Sequence, residues 1–149
     1  LTQTIQDIRR YIFDLRSDTP DDDLEPGIRR LLRDFHNNTL LETQLHVEGE
    51  PPRRPLTLER RRHLFQIVRE ALANTARHAH AHAVTIYLTY GPDSLEVLIH
   101  DDGVGMEAFT LGKGHGLRNI RERTRLLDGI FQIESAPGAG VTLHLSIPY

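Results

Sequence analysis

The stretch from Glu70 to His78 carries polar side chains at intervals that could assemble a binding surface. Asn74 follows Glu70 by four residues, and Arg77 and His78 follow Asn74 by three and four. If the stretch is helical, these side chains share one face, because residues three or four positions apart are neighbours on a helix. On a helical wheel this face borders an apolar arc, which consists of Leu64, Phe65, Val68, Ala71, Leu72 and Thr75. The polar set can therefore line a cleft beside the core.

Two glycine-containing strings follow, at residues 101–105 (DDGVG) and residues 114–119 (GHGLRN). A carboxylate that opens such a loop can accept a hydrogen bond from an exocyclic amine, and glycines let backbone amides approach phosphate closely. The second string precedes a predicted helix, whose free N-terminal amides attract phosphate. Either string alone is a weak signal, since glycine turns after strands are common. The three strings in this order predict a nucleotide pocket.

The ordered set resembles the ATP-binding catalytic domain shared by DNA gyrase, mismatch-repair ATPases, the heat-shock chaperone and histidine kinases. Within that superfamily the chain is most similar to sensor histidine kinases of the nitrate-sensor and desaturase-sensor type, on the strings REALANTARHA and GHGLRNIRER. The resemblance covers nearly the whole chain. It implies an ATP-dependent protein-histidine kinase that transfers the γ-phosphoryl of Mg-ATP to a histidine on its own dimerisation bundle, from which a response regulator receives it.

The resemblance also implies roles for individual residues. Asp101 would bind the adenine amino group, and Asn74 would coordinate Mg²⁺. Glu70 and Asn74 would be the catalytic pair, although Glu70 could activate water, as in hydrolysing relatives, or orient the metal shell or the incoming imidazole. Further ATP contacts would come from Asn74, Arg77, His78, Gly103, Gly105, Gly114, His115, Gly116, Leu117 and Thr142. The family usually has Gly-Thr in the last hairpin.

Two details of the site stay open in the sequence. Gly140 is followed by Val141, so it is undecided whether the Thr142 hydroxyl, or any hydroxyl, completes the pocket. His78, His80 and His82 alternate as in a metal site, but no fourth ligand is visible, so a pocket edge beside a solvated loop is the preferred interpretation.

Composition limits the classes of function. The chain has 149 residues, a net charge of −3 and no cysteine. The length fits one domain, the charge argues against nucleic acid as a partner, and the lack of cysteine excludes a disulfide framework. There is no apolar run long enough to span a bilayer and no signal peptide. We expect a cytoplasmic protein, or the cytoplasmic part of a membrane-bound sensor whose membrane contact lies in an upstream region.

The N-terminal part predicts a second packing unit. Apolar residues recur at heptad spacing from Leu1 to Leu15, which is typical of a bundle or coiled-coil helix; an amphipathic helix docked on its own domain is the alternative. By resemblance, residues 1–20 are the end of the dimerisation and phosphoacceptor helix with its linker, and residues 21–149 are the catalytic domain. The acidic stretch 17–25 breaks the helix at Pro20. None of the nine histidines has the context of the family's phosphoacceptor, so we expect the chain to lack its own acceptor. Because it opens with Leu1 in mid-helix, it is interpreted as part of a longer, dimeric protein.

The remaining pattern predicts an α+β fold. We expect a short helix through Ile28 and Phe35, a strand near residues 41–47, and a long helix over about 58–79. A hairpin at 84–100, a helix at 116–128 capped by Gly129 and a hairpin at 130–147 should follow. The arginines at 60–62 are expected to be solvated. The result is a two-layer sandwich of a mostly antiparallel mixed sheet with helices on one face, and the family resemblance implies that it is the Bergerat-type ATP-binding fold.

Other functions fit the same fold. A clamp-type ATPase and an anti-sigma-factor-type serine kinase are the enzymatic alternatives, and a nucleotide-gated interaction module without turnover is the alternative that is not an enzyme. The heptad pattern and the GHGLRNIRER string favour the histidine kinase over the first two.

Overall fold

The computed structural model describes residues 23–78, 80–104 and 115–149, without the side chains of His78 and His115. The predicted N-terminal helix and most of the acidic linker lie outside these residues. The elements are α1 (Leu24–Thr39), β1 (Glu42–Glu48), α2 (Leu58–His78), β2 (Ala83–Tyr90), β3 (Ser94–Asp101), α3 (His115–Leu126), β4 (Ile130–Ser135) and β5 (Val141–Pro148).

The five strands form one sheet in the order β1-β2-β3-β5-β4. β1 pairs with β2 in parallel, whereas the other neighbours are antiparallel. Alternate residues of β2, β3 and β5 are buried on one face, where the helices cover the sheet. The predicted α+β sandwich with a mostly antiparallel mixed sheet is therefore confirmed.

The long helix α2 lies at the centre of the helical layer. Its predicted apolar arc is buried, and Ile67 and Ala73 are buried as well. The buried face is wider than the sequence predicted because α2 packs against α3 in addition to its contact with α1 and the sheet. The face of α2 that remains partly exposed beside this core carries the polar residues Glu70, Asn74 and Arg77.

The start of α1 and the end of α3 differ from the prediction. α1 begins at Leu24, so the last two residues of the predicted linker are helical; Pro26 is tolerated because the first turn needs no intrahelical N–H donor. After α3, whose predicted cap was Gly129, it is Asp128 that adopts the left-handed conformation (φ 54°). Gly129 instead donates its N–H to Thr124 O at 2.9 Å. It must be glycine because a Cβ there would lie 2.8 Å from Ser146 O.

Arg60 corrects the expectation that the arginines at 60–62 are solvated. Its Nη2 donates to the carbonyl oxygens of Leu127 at 3.1 Å and of Pro148 at 2.6 Å. The side chain is half-buried and joins the start of α2 to the ends of α3 and β5. Arg60 therefore stabilises the packing that holds α3 beside α2.

Candidate functional site

One face of α2 carries Glu70, Asn74 and Arg77, as the spacing predicted. Arg77 Nη2 donates to Asn74 Oδ1 at 3.0 Å and lies 3.8 Å from Glu70 Oε2. The side chains of Glu70 and Arg77 are 31% and 29% exposed, so this is a weak, partly solvated ion pair. His78 is the last residue of α2, and its side chain lies outside the described atoms. The three described side chains present a carboxylate, an amide oxygen and a guanidinium beside the core.

The start of α3 lies directly against this face. A Cβ placed on Gly116 would come within 2.8 Å of Asn74 Oδ1 and 3.1 Å of Glu70 Oε2. Leu117 is buried and fixes the first turn of α3 to the core. That turn contains no acidic side chain, so the positive end of the helix dipole is not neutralised from within. The positive end of α3 therefore lies beside both the Asn74 amide and the Glu70 carboxylate.

Asp101 ends β3 on the helix-covered face of the sheet and is only 5% exposed. Its Oδ1 accepts backbone N–H groups of Gly103 at 2.9 Å and Val141 at 3.3 Å. Its Oδ2 accepts the Thr75 hydroxyl at 3.3 Å. A carboxylate offers about four lone-pair positions, so these three bonds leave capacity for one further donor. Asp101 is thus held in place by three hydrogen bonds and has capacity to accept one more.

The adjacent Asp102 has a different role. Its Oδ1 accepts the backbone N–H groups of His82 at 2.8 Å and Ala83 at 2.9 Å. The hydrogen bond from Ala83 is the main cause that holds the pKa of this carboxyl below its ordinary value, with a smaller contribution from His82. Asp102 is exposed and ties the loop before β2 to the end of β3. The structure therefore distinguishes two aspartates that the sequence presents as a pair.

The structure places Thr142 on the face of the sheet opposite to Asp101, so the strand register argues against Thr142 as the hydroxyl of the pocket. In the β3–β5 pairing Asp101 stands opposite Val141, and His100 stands opposite Thr142. Side chains alternate along a strand, so Thr142 points to the outer face of the sheet. There its hydroxyl lies 2.8 Å from His100 Nδ1.

Thr75 supplies the hydroxyl beside Asp101 instead. The sequence counted Thr75 only as part of the apolar arc of α2, and it is indeed buried, at 5% exposure. Besides Asp101, its hydroxyl also reaches the carbonyl of Ala71 at 3.2 Å. The one signal that could have identified it is a hydroxyl on the inward side of the helix, next to Asn74.

Part of the predicted site lies outside the described residues. Gly105, Gly114 and the side chains of His78 and His115 belong to this part, so their roles stay predictions. Gly103 begins the loop as expected and donates its N–H to Asp101. Across the described segments, no three His, Cys, Asp or Glu side chains are grouped to hold a metal ion, and no helix is long and apolar enough to cross a membrane.

The chain is similar in sequence to a known protein family and to several sensor proteins. The sequence profile described as "Histidine kinase-, DNA gyrase B-, and HSP90-like ATPase" matches residues 59–149. The chain is 32% identical over 147 residues to the signal transduction histidine-protein kinase/phosphatase DegS of Brevibacillus brevis, covering 97% of this chain and 38% of DegS. It is 28% identical over 148 residues to the nitrate/nitrite sensor protein NarQ of Escherichia coli, covering 98% of this chain and 26% of NarQ. The chain thus spans well under half the length of either relative.

Solved structures agree on the fold. The histidine kinase AdeS of Acinetobacter baumannii superposes with a TM-score of 0.70 at 19% identity, covering 97% of this chain and 76% of that one. The histidine kinase domain of a blue-light activated kinase from Erythrobacter litoralis gives 0.69 at 17% identity, covering 96% and 74%.

Proposed function

The chain belongs to the histidine kinase-, DNA gyrase B- and HSP90-like ATPase family, and on that premise we propose that it is the ATP-binding catalytic domain of a two-component sensor histidine kinase. Its substrate would be Mg-ATP, its acceptor a histidine on the dimerisation bundle of the full protein, and its downstream partner a response regulator. The observation that carries the proposal is the contact of Gly116 with Asn74 and Glu70, because it joins the third sequence string to the first in space. The names of DegS and NarQ support the kinase over the other members of the family.

Asp101 is proposed to recognise adenine. An exocyclic amine is a donor, and the Asp101 carboxylate has room for one more donor after Thr75, Gly103 and Val141. Because all three existing partners come from different parts of the fold, the carboxylate cannot rotate away without breaking a bond. The conformational entropy of the Asp101 side chain is therefore lost on folding and not on ATP binding.

Asn74 is proposed to hold Mg²⁺ with the ATP phosphates. Mg²⁺ prefers oxygen ligands and takes few from the protein when phosphates and water supply the rest, so an amide Oδ1 beside a carboxylate fits it. When bound, the ion would neutralise phosphate charge. Asn74 Oδ1 now accepts a hydrogen bond from Arg77, so we expect Arg77 to turn from Asn74 toward the phosphates. Glu70 would help to orient this group or the incoming imidazole.

These roles suit phosphoryl transfer, which depends mainly on positioning and on stabilisation of negative charge. The first-turn amides of α3, Arg77 and the metal held by Asn74 would supply the charge. The assignment of residues 1–20 to the dimerisation helix and linker, and of residues 21–149 to the catalytic domain, is part of the same proposal. So are a cytoplasmic location and a homodimer in the full protein.

The decisive experiment combines the chain with the upstream bundle and γ-labelled ATP. We expect acid-labile label on the bundle histidine, loss of that label in Asn74→Asp, and only very slow phosphate release by the chain alone. Glu70→Ala is compared with the parent for both ATP binding and label. Rapid phosphate release without label would favour a clamp-type ATPase, and label on serine would favour the serine kinase. ATP binding with neither product would favour a nucleotide-gated interaction module.

A further inference from the structure

β1 forms one edge of the sheet, and no other strand of the described segments lies beyond it. It pairs with β2 alone, in a register from Glu42↔Ala83 to Glu48↔Thr89. Proteins usually protect such an edge with proline, a bulge, a very short strand or charged side chains, and the acidic residues of β1, Glu42 and Glu48, lie only at its two ends. β1 is seven residues long, contains neither proline nor glycine, and keeps a continuous register. Its outer side can therefore accept another strand.

The outward backbone groups of β1 can be identified. Glu42 donates its N–H to His82 O at 2.9 Å, so the backbone groups of residue 42 face β2. Because the backbone groups of successive strand residues point to opposite sides, those of Thr43, Leu45 and Val47 point to the open edge. The side chains of these three residues face the helical layer and are half-buried.

A groove runs between this edge and α1, with a volume of about 310 Å³. It is lined by Arg29, Leu32, Arg33, His36, Thr43, Gln44 and Leu45. The α1 residues at 29, 33 and 36 share one face, because they are separated by four and three positions. Arg29 and Arg33 are exposed, and Arg29 forms a solvent-exposed ion pair with Glu25 at 3.1 Å. The wall of the groove on the α1 side is cationic.

The opposite face of β1 has the opposite charge. The side chains of Glu42, His46 and Glu48 are exposed on the outer face of the sheet. In a strand added to this edge, the side chains on one face would lie beside Arg29 and Arg33, and those on the other face would lie beside Glu42 and Glu48.

We propose that the β1 edge binds an extended acidic segment of a partner protein, which adds a sixth strand to the sheet. Its backbone would pair with Thr43, Leu45 and Val47. Aspartate or glutamate at alternate positions would meet Arg29, Arg33 and His36, and neutral or basic residues between them would meet Glu42 and Glu48. Main-chain hydrogen bonds supply affinity in this mode of recognition and the alternating side chains supply specificity. The site is separate from the cleft at Asp101 and does not depend on the proposed kinase activity.

The probe is a fluorescent peptide with aspartate at alternate positions and threonine or valine between them. A control peptide of the same composition has its aspartates grouped at one end. We expect saturable anisotropy binding of the alternating peptide and much weaker binding of the control. Arg29→Glu with Arg33→Glu should weaken binding about tenfold or more, because two attractive contacts become repulsive. Arg53→Glu with Arg54→Glu makes the same charge change on the exposed loop before α2 and should leave binding unchanged.

Hydrogen exchange locates the bound peptide. In the free chain the amides of Thr43, Leu45 and Val47 should exchange faster than those of Gln44 and His46, and the peptide should slow the first three. Equal binding of both peptides, equal effects of both double variants, or unchanged exchange in β1 would each overturn the proposal. If protection of the β1 amides rises with protein concentration in the absence of peptide, the occupant of the edge is a second copy of the chain. That result would also overturn the proposal.

Discussion

Gly116 at the start of α3 lies so close to Asn74 on α2 that a methyl group on Gly116 would come within 2.8 Å of Asn74 Oδ1. This distance is shorter than a non-bonded carbon–oxygen contact, so only glycine fits without moving the amide. The two residues are far apart in the sequence and belong to different strings. Their proximity brings two sequence strings, each a weak signal alone, together at one place in the fold.

Gly116→Ala should therefore weaken Mg-ATP binding by about tenfold or more, because the methyl group must displace Asn74 or shift the first turn of α3. The free energy of unfolding should change less, since alanine is the better helix former. Calorimetric titration with ATP and thermal unfolding measure the two effects. Arg118→Ala, an exposed change on the same helix, is the matched control. Unchanged ATP affinity in Gly116→Ala would show that the Asn74 amide is not part of the binding site.

Asp101→Asn should weaken ATP binding by about 1.5–3 kcal/mol, because it replaces a charged acceptor with an amide that can present a donor to the adenine amine. The same titration measures this loss. Circular dichroism separates it from unfolding, since Asp101 also accepts hydrogen bonds from Gly103 and Val141. A folded Asp101→Asn variant with the ATP affinity of the parent would refute the assignment of the pocket floor.

Asp102→Asn is the matched control for Asp101 and carries its own prediction. ATP affinity should be retained, because the Asp102 carboxylate binds backbone N–H groups of Ala83 and His82 rather than facing the cleft.

The pKa of Asp102 is lower in the folded chain than its ordinary value of 3.8, chiefly because of the hydrogen bond from Ala83. Its contribution to stability is therefore complete above pH 3.8 and is lost as the pH falls through the lower folded-state pKa. Denaturant unfolding at a series of pH values should show a shallower acid loss in Asp102→Asn than in the parent. An identical pH profile would mean that the two backbone bonds do not favour the charged carboxylate.

Thr75→Val and Thr75→Ser together test the buried hydroxyl beside Asp101. Valine keeps the shape but removes the donor to Asp101 Oδ2, so we expect a loss of about 1–2 kcal/mol in the free energy of unfolding and weaker ATP binding. Serine keeps the hydroxyl and should retain most of the ATP affinity. If both variants bound ATP equally well, the hydroxyl would have no part in holding the carboxylate.

Much of the fold could be predicted because its signals are local. The spacing of Ile28 and Phe35 predicts α1, and the apolar arc through Leu64 and Leu72 predicts α2. The strands of the two hairpins follow from the alternation of apolar and polar residues on either side of Gly91 and of the turn at residues 137–140. Errors occurred where a residue contacts a distant part of the chain. Arg60 was expected in solvent, but it binds carbonyl oxygens of Leu127 and Pro148, which no local pattern indicates.

The sequence by itself predicted most chemical groups of the candidate site and their order along the chain, because helix and strand periods are properties of neighbouring residues. It could place Asn74 beside Glu70 and, by family resemblance, assign Asp101 to adenine, yet it left open which hydroxyl completes the pocket and could not show which face of the sheet Asp101 occupies. Those choices depend on the β3–β5 register, which points Asp101 to the helices and Thr142 to the outer face. Tertiary structure alone decided them, because pairing between strands is set by packing across the whole sheet and a shift of one residue reverses every side chain.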